Sequence, residues 1–469
     1  MRLIPTYKVA KGISRSQHSW KNFTEQPWAA GGILLLCVVI AMLLANLPAT
    51  SEVYHNFLNT KLTATIQSPT RPDGTRVIDW TFPEGMNIEK FINDFLMVIF
   101  FFSVGLEIKR EIVCGELSSP KKALLPVIAA AGGMAMPALI FLIFNHGTMA
   151  SSGWGIPTAT DIAFAVGIMS ILGNKVPVSC KIFLTALAIA DDLGAILVVA
   201  LFYGGTVNLP LLCIAMLILA CTFLLNYLGE KRIIFYLIPG IAVWFLFYYS
   251  GIHSTMSGVV MAFMIPMEPR YSAAYLSRTG HIFKERLMKA TTDEVYPNDE
   301  QLNCLRGLSY INKNAMGLSY RLEHELYPYV NYLIMPIFAL ANAGVQIPDI
   351  SYFNIFQYSP EIGSVGMGIF FGLLLGKPIG ITLASFIAIK GKFGAMPDNA
   401  SWLMLFAVAC LGGIGFTMSI LVDTLSFSDF PQYAEQLRSC GKIAVLMGSL
   451  SAGILGSLLI TQVARREKH

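Results

Sequence analysis

The stretch ALAIADDLGAILVVALF, residues 186–202, places two adjacent aspartates, Asp191 and Asp192, inside an otherwise apolar run that is typical of a membrane span. A central aspartate costs roughly 2.5–3.5 kcal/mol on the insertion scale, whereas each strongly apolar neighbour contributes only about 0.3–0.6 kcal/mol in return. The pair therefore nearly cancels the contribution of a dozen apolar residues. Protonated or ion-paired acids that only support packing are one interpretation, but intramembrane acids are typical of ion and proton pathways, and we favour that reading.

The composition places this run in a polytopic membrane protein. Of 469 residues, 55% are hydrophobic and 13% are charged, and the mean hydropathy is +0.60. We therefore predict an all-α fold whose main partner is the lipid bilayer. We expect neither a nucleic acid partner nor enzyme activity. The eight cysteines show neither CxxC spacing nor paired histidine ligands, so neither disulfides nor a resident metal is indicated.

About twelve apolar segments are long enough to be spanning helices. The first is too long for a cleaved signal peptide, so we expect it to remain in the membrane. The predicted segments are 28–48, 91–113, 123–144, 153–172, 177–203, 207–228, 233–250, 252–267, 326–346, 363–389, 401–423 and 440–463.

The distribution of Lys and Arg predicts the orientation of these segments. The basic residues of segment 1–27, of the loop 268–325 and of the tail 464–469 fall on one side, and the short loops on the other side hold none. Both termini should therefore be cytoplasmic, flanking a membrane domain at 28–463. On the outer side, alternating residues before Asp73-Gly74 predict a small β-hairpin at about 61–82.

Two predicted helices are interrupted at their centres. Gly155 and Pro157 precede Thr158, Thr160 and Asp161 in segment 153–172. Segment 401–423 is interrupted by Gly412, Gly413 and Gly415. As the fourth and eleventh helices, they run in opposite directions, which is the condition for inverted repeats built from helices three to five and ten to twelve. Such broken helices indicate a transporter binding site, whereas close helix packing is the alternative for either one alone.

One further charge lies in a spanning segment, Lys377 in FFGLLLGKPIG. A buried lysine is costly, so we expect it to pair with an aspartate or to offset the dipoles of the broken helices.

Several motifs along the chain resemble those of the NhaA family of sodium–proton antiporters. They cover most of the chain in order: VGLEIKREIVCGEL (104–117), TATDIAFAVG (158–167), LTALAIADDLGAI (184–196), SGIHSTMSGV (250–259), RLEHELYPYV (321–330), FALANAGV (338–345), LLLGKPIGI (373–381) and GGIGFTMSI (412–420).

The resemblance implies an electrogenic antiporter of the bacterial inner membrane that exports Na+ or Li+ in exchange for H+ by alternating access, without a cofactor. It implies Na+ binding at Asp192 and Asp191, with Asp191 also pairing with Lys377. It places Thr160 and Asp161 at the crossing of the broken helices, and it implies a homodimer formed through the outer hairpin. A sodium-coupled solute symporter is the alternative. An intramembrane aspartyl protease is disfavoured because both adjacent acids share one helix.

A second group of polar residues is predicted near the cytoplasmic ends. Its members are Glu107, Arg110, Glu111, Glu323, His324 and, elsewhere, His253. Ordinary interfacial salt bridges are one interpretation, whereas the resemblance implies pH activation, for which histidine is suited. Tyr327 stands where some relatives have a second histidine, and the loop before Glu323 is long.

Overall fold

The computed structural model describes residues 26–62, 64–67, 79–82, 86–205, 207–269, 271–290, 296, 298–347, 356, 363–427 and 433–466. These residues form nineteen α-helices and one pair of strands. The helices are α1 Pro27–Asn46, α2 Ser51–Leu58, α3 Ile88–Phe91, α4 Met97–Val113, α5 Pro120–Asn145, α6 Ile162–Leu172, α7 Val178–Phe202, α8 Leu209–Tyr227, α9 Ile234–Ser250, α10 Met256–Met264, α11 Ala273–Lys289, α12 Asp299–Ala315, α13 Leu318–Tyr329, α14 Met335–Asn342, α15 Val365–Phe371, α16 Lys377–Lys390, α17 Trp402–Leu411, α18 Phe416–Ser426 and α19 Ala434–Arg466.

Several of the long helices contain non-α segments. Three are π-helical, namely Ile92–Leu96, Val330–Ile334 and Gly372–Gly376, and each joins two α-helices into one continuous element. The segment Met149–Thr158 is a 3-10 helix that precedes α6. π-Helical turns inside α-helices are rare and frequently lie at functional sites.

Each of the twelve predicted segments overlaps a helix. By length and composition, eight helices within the described residues can cross a membrane, and α17 with α18 forms a further span bent by 53°. The helix α9 is apolar but shorter, and α10 has only nine residues. The chain is therefore a polytopic helical protein, while the number of twelve spans stays a prediction.

The helices divide into two compact units. The first comprises residues 1–97, 111–204 and 330–469, and the second comprises 98–110 and 205–329. Each unit has its own apolar core: Leu187, Ile381 and Leu411 lie in that of the first, and Leu106, Val243 and Ala262 in that of the second. The sequence did not indicate this division, because both units contain segments that are distant along the chain.

In the first unit, α5 and α16 cross with their backbones in contact. A Cβ atom at Gly132 would lie 2.6 Å from the carbonyl oxygen of Gly380, and a Cβ at Gly380 would overlap the carbonyl oxygen of Gly132. Only glycine at both positions permits this approach, which is a common mode of helix packing in membranes. The crossing fixes the position of α16, which begins at Lys377.

Outside the helices, β1 (Ala64–Gln67) and β2 (Asp79–Phe82) pair in antiparallel fashion, with Ala64 opposite Phe82. These strands lie in the stretch for which a hairpin is predicted, whereas the predicted Asp73-Gly74 turn lies outside the described residues. The loop 268–325 contains α11 and α12, which pack on each other. A capping box formed by Asn298 and Gln301 begins α12.

Candidate functional site

The two adjacent aspartates lie in the middle of α7, which is α-helical from Val178 to Phe202. Asp191 is 0% exposed and Asp192 is 3% exposed. Because successive residues of an α-helix point about 100° apart, the two carboxylates face different neighbours. The helix thus holds two carboxylates at nearly the same position along its axis, and each faces different neighbouring groups.

Lys377 is the charged partner of the first carboxylate. Its ammonium forms an ion pair with Oδ2 of Asp191 and donates a hydrogen bond to Oγ1 of Thr160 at 3.0 Å. Its side chain is fully buried, and Asp192 lies within electrostatic reach of it. The π-helical segment Gly372–Gly376 ends immediately before Lys377, so an irregular turn of the backbone precedes this lysine.

The first interrupted segment forms one arm of a crossing. The 3-10 helix Met149–Thr158 ends before Ala159, whose backbone is extended, and α6 begins at Ile162. Asp161 is the N-cap of α6, and its Oδ1 accepts a hydrogen bond from the Phe164 backbone N–H at 3.3 Å. The interruption expected after Pro157 is therefore present, and it ends in an acidic cap.

The second interrupted segment forms the other arm. α17 ends at Leu411 and α18 begins at Phe416. The backbone N–H of Asp161 donates to the Ile414 carbonyl oxygen at 2.6 Å, and Thr160 Oγ1 donates to the Gly412 carbonyl oxygen at 2.7 Å. The two interruptions therefore hydrogen-bond to each other directly.

Glycine is required at this crossing because backbones approach closely. A Cβ at Gly415 would lie 2.7 Å from the Ala159 carbonyl oxygen, and a Cβ at Gly413 would overlap the carbonyl oxygen of Leu373. The glycines that the sequence analysis identified as helix breakers are therefore also the residues that let the second interruption contact its neighbours.

The carboxylate of Asp161 serves both half-helices that begin at the crossing. Besides capping α6, its Oδ2 accepts hydrogen bonds from the Thr417 backbone N–H at 3.2 Å and from Thr417 Oγ1 at 2.5 Å, at the first turn of α18. Each helix N-terminus carries roughly half a positive charge, so one carboxylate matches two N-termini. Sequence reasoning missed Thr417; the signal available was a hydroxyl residue two positions after Gly415.

Lys377 lies on the side of the crossing where the interrupted helices have their C-terminal ends. Thr160, which accepts from Lys377, in turn donates to Gly412, the residue that follows the C-terminus of α17. Helix C-termini carry roughly half a negative charge each, so a buried ammonium is favourable here. The structure thus brings together all five predicted exchange-site residues, which are Thr160, Asp161, Asp191, Asp192 and Lys377.

The predicted pH-sensing residues are only partly brought together. Nε of Arg110 lies 3.3 Å from Oε1 of Glu323, and Nη2 of Arg110 lies 3.9 Å from Oε1 of Glu107. Nδ1 of His324 is 3.0 Å from the Tyr320 carbonyl oxygen. Glu107, Arg110 and Glu323 thus form one network between the C-terminal part of α4 and the middle of α13, and His324 follows Glu323 along α13.

Glu111 and His253 complete the predicted set. The carboxylate of Glu111, the chain neighbour of Arg110, accepts a hydrogen bond from the Glu116 backbone N–H at 3.1 Å. His253 lies just before α10, whereas Lys109, the neighbour of Arg110, donates to the carbonyl oxygens of Phe263 and Ile265 at the far end of that helix. His253 is therefore about the length of α10 away from the network.

One buried acid was not identified from the sequence. Asp423 in α18 is 0% exposed. It is the last residue of the predicted segment 401–423, and α18 continues past it to Ser426.

Comparison with known proteins gives consistent matches over nearly the whole chain. Residues 21–460 match the family model described as Na+/H+ antiporter 1. The Na(+)/H(+) antiporter NhaA of Oleidesulfovibrio alaskensis is 41% identical over 93% of this chain and 92% of its own length. The proteins of the same name from Pelagibacter ubique (39% identity, 97% and 100% coverage) and Bacteroides thetaiotaomicron (40% identity, 94% and 96% coverage) match similarly.

A solved structure also matches this chain. The sodium proton antiporter MjNhaP1 from Methanocaldococcus jannaschii aligns over 93% of this chain and 98% of that chain, at 12% identity and a TM-score of 0.42. This similarity is too low to support an argument. The relatives are antiporters by name, and nothing among them supports the solute symporter alternative.

The Lys377→Ala variant tests the buried ion pair. Removing the ammonium leaves Asp191 as a buried carboxylate without its counter-charge, so we expect a loss of about 3–5 kcal/mol in the free energy of unfolding. Lys390→Ala is the matched control, since Lys390 ends the same helix and is exposed. Thermal unfolding in detergent measures both variants, and equal midpoints would contradict a stabilising role for the pair.

Proposed function

This chain belongs to the Na+/H+ antiporter 1 family, and from that premise we propose that it exchanges Na+ for H+ at the carboxylates of Asp191 and Asp192. The observation that carries this proposal is the placement of two buried, adjacent carboxylates beside the crossing of two interrupted helices, with the ammonium of Lys377 paired to Asp191. Carboxylate and carbonyl oxygens suit a hard cation, and carboxylates also bind protons.

In this mechanism the two acids have different roles. Asp192 is the principal ligand of the cation, and Asp191 alternates between the cation and Lys377. Na+ and protons compete for the same oxygens, so Na+ displaces protons on one side of the membrane and protons displace Na+ on the other. Li+ is a hard cation of the same charge and enters by the same chemistry.

Charge balance makes the exchange electrogenic if binding one Na+ releases two protons, because each cycle then moves one net charge. The site must open to one side of the membrane at a time. The crossing supports this opening of the site. Its two interruptions are joined by hydrogen bonds, and no continuous helix holds it rigid. Asp161 and Lys377 balance the helix ends throughout the cycle.

We further propose that the network of Glu107, Arg110 and Glu323, with His324 beside it, adjusts transport to pH. The Arg110–Glu323 pair is partly buried, and His324 follows Glu323 along α13. Protonation of His324 would add positive charge next to Glu323 and compete with Arg110 for it. The simpler reading is that these are interfacial salt bridges, which contribute little to stability.

The apolar helices are those of an integral membrane protein. We propose the bacterial inner membrane as its location, with both termini cytoplasmic, as the distribution of Lys and Arg indicates. We also propose a homodimer formed through residues 61–82. Within the described residues, β1 and β2 pair only with each other, so their outer edges offer backbone groups to a second copy.

Asp192→Asn should abolish Na+-dependent proton release from purified protein and exchange in proteoliposomes. The amide can neither release a proton nor give the cation a charged ligand, while its shape permits folding. Asp398→Asn is the matched control, because Asp398 is exposed in the loop before α17. Exchange by Asp192→Asn at the wild-type rate would contradict the assignment, and Asp191→Asn should be nearly as damaging.

Acidification should suppress exchange, because protons then occupy both carboxylates and Na+ cannot displace them. In proteoliposomes, His324→Ala and Glu107→Ala should shift the pH profile by more than they lower the maximum rate. His281→Ala serves as control, since His281 is exposed and its Nδ1 lies 3.8 Å from Oε1 of Glu285 on the same helix. An exchange rate that does not change with pH would contradict competition between Na+ and protons. If His324→Ala and Glu107→Ala give the same pH profile as the control, the network has only a structural role.

Replacing residues 61–82 by a short Gly/Ser linker should give a monomer that still exchanges Na+ for H+, because every proposed exchange-site residue lies in one chain. Light scattering in detergent measures the oligomeric state, with the full-length protein as reference, and the exchange assay measures activity. A deletion variant that stays dimeric, or that is monomeric, folded and inactive, would overturn the proposed division of roles.

A further inference from the structure

A fourth buried acid, Asp423, lies in the first unit outside the proposed exchange site. It is in α18, six residues beyond Thr417, and therefore about 9 Å further along the helix axis from the Asp161 contact. Its side chain is 0% exposed. None of the contacts that build the exchange site involves it.

The carboxylate of Asp423 has unusual surroundings. Among the described residues, neither Oδ1 nor Oδ2 has a hydrogen-bond partner. The group lies against the backbone of α19 at Gly441, where a Cβ atom would overlap Oδ1. A buried carboxylate therefore lies against a bare stretch of helix, with no hydrogen-bond donor among the described residues.

Charged and titratable groups face Asp423 from two elements. Arg438 and Lys442 on α19 are four residues apart, so they share one helix face, and both interact electrostatically with Asp423. Cys440 on α19 and Tyr203 at the end of α7 also lie within electrostatic reach. Two other segments pack on α18, Met149–Thr158 and α14, and neither contains a titratable side chain.

Neither Arg438 nor Tyr203 makes a hydrogen bond to Asp423. The Nε of Arg438 is buried and has no hydrogen-bond partner among the described residues. The hydroxyl of Tyr203 is already engaged, since it donates to the Ser152 carbonyl oxygen at 2.8 Å and accepts from the Gly155 N–H at 3.0 Å. Asp423 and Arg438 thus interact electrostatically without a hydrogen bond between them.

An ionised carboxylate buried without hydrogen bonds is far more costly than the neutral acid, because the charge loses its hydration. The observed arrangement therefore suits a protonated Asp423. Once the proton leaves for solvent, the carboxylate needs a donor, and the unpaired Nε of Arg438 can supply one from the facing helix, with Lys442 adding a second positive charge.

We propose that Asp423 is a proton-binding site separate from the Na+/H+ exchange site, and that its deprotonation closes an ion pair with Arg438. The pair would join α18, whose N-terminus is held by Asp161, to α19. Proton occupancy of Asp423 thereby changes how this half-helix is anchored, and it gives transport a dependence on pH that does not arise from competition at Asp191 and Asp192.

Infrared difference spectroscopy of the purified protein between acid and alkaline pH tests proton binding directly. In an Asp191→Asn/Asp192→Asn background, we expect a C=O band of a protonated carboxyl without strong hydrogen bonds at acid pH, lost as pH rises. That band should be absent when Asp423→Asn is added. A spectrum that Asp423→Asn leaves unchanged would overturn the proposal, and the result does not depend on whether the exchange site is assigned correctly.

The pH profile of exchange in proteoliposomes tests the coupling. Asp423→Asn mimics the protonated acid, so it should coincide with wild type at acid pH and diverge as pH rises, with the half-maximal point shifted by about one unit. Arg438→Gln should diverge in the same range, and the double variant should add nothing further. Arg466→Gln, at the exposed end of α19, is the control.

A merely structural Asp423 gives a different result. Its replacement would lower the thermal unfolding midpoint, or it would lower the exchange rate by the same factor at every pH. Arg438→Gln would then not reproduce the pH-dependent divergence. Either finding would overturn the proposal. If Asp423→Asn fails to fold, Arg438→Gln alone still decides, because it retains the acid and removes only the proposed partner.

Discussion

The meeting of four helix ends in a water-poor interior is the constraint on which the rest of this structure depends. Two half-helices begin at the crossing and both direct their N–H groups at Asp161, while Thr160 and Lys377 lie beside the end of α17. Unpaired backbone groups are especially costly in lipid, so interrupted helices persist only where such partners exist. Here the partners are the carboxylate of Asp161 and the ammonium of Lys377, which together carry no net charge.

The remaining packing serves to hold these two charges. Lys377 reaches the crossing because α16 lies directly on α5 at Gly132 and Gly380, where no side chain separates the backbones. The same ammonium pairs with Asp191, so it links the balance of the helix ends to the pair of acids on α7. Any change in the charge of Asp191 or Asp192 therefore acts on Lys377 and, through Thr160, on the crossing itself.

Much of the proposed exchange site could be identified in the sequence because its residues are conspicuous in an apolar chain. Asp191, Asp192, Asp161 and Lys377 are charges in spanning segments, and each costs enough to require a partner or a role. Thr417 was missed because a threonine in a membrane helix carries no such cost. Asp423 was missed because it closes a predicted segment, where an acid is expected to face water, although α18 extends past it and buries it.

By itself, the sequence determined the class of protein, the approximate positions of its helices and the four charged residues of the exchange site, because hydropathy and the cost of intramembrane charge act on each segment separately. Only the tertiary structure decided which partner each charge has. Whether Lys377 meets Asp191 or Asp192 depends on where the packing of α16 on α5 places the lysine, and that Asp161 caps two helices depends on a segment more than two hundred residues away. Such contacts join segments that are distant along the chain, and no local pattern specifies the geometry with which they meet.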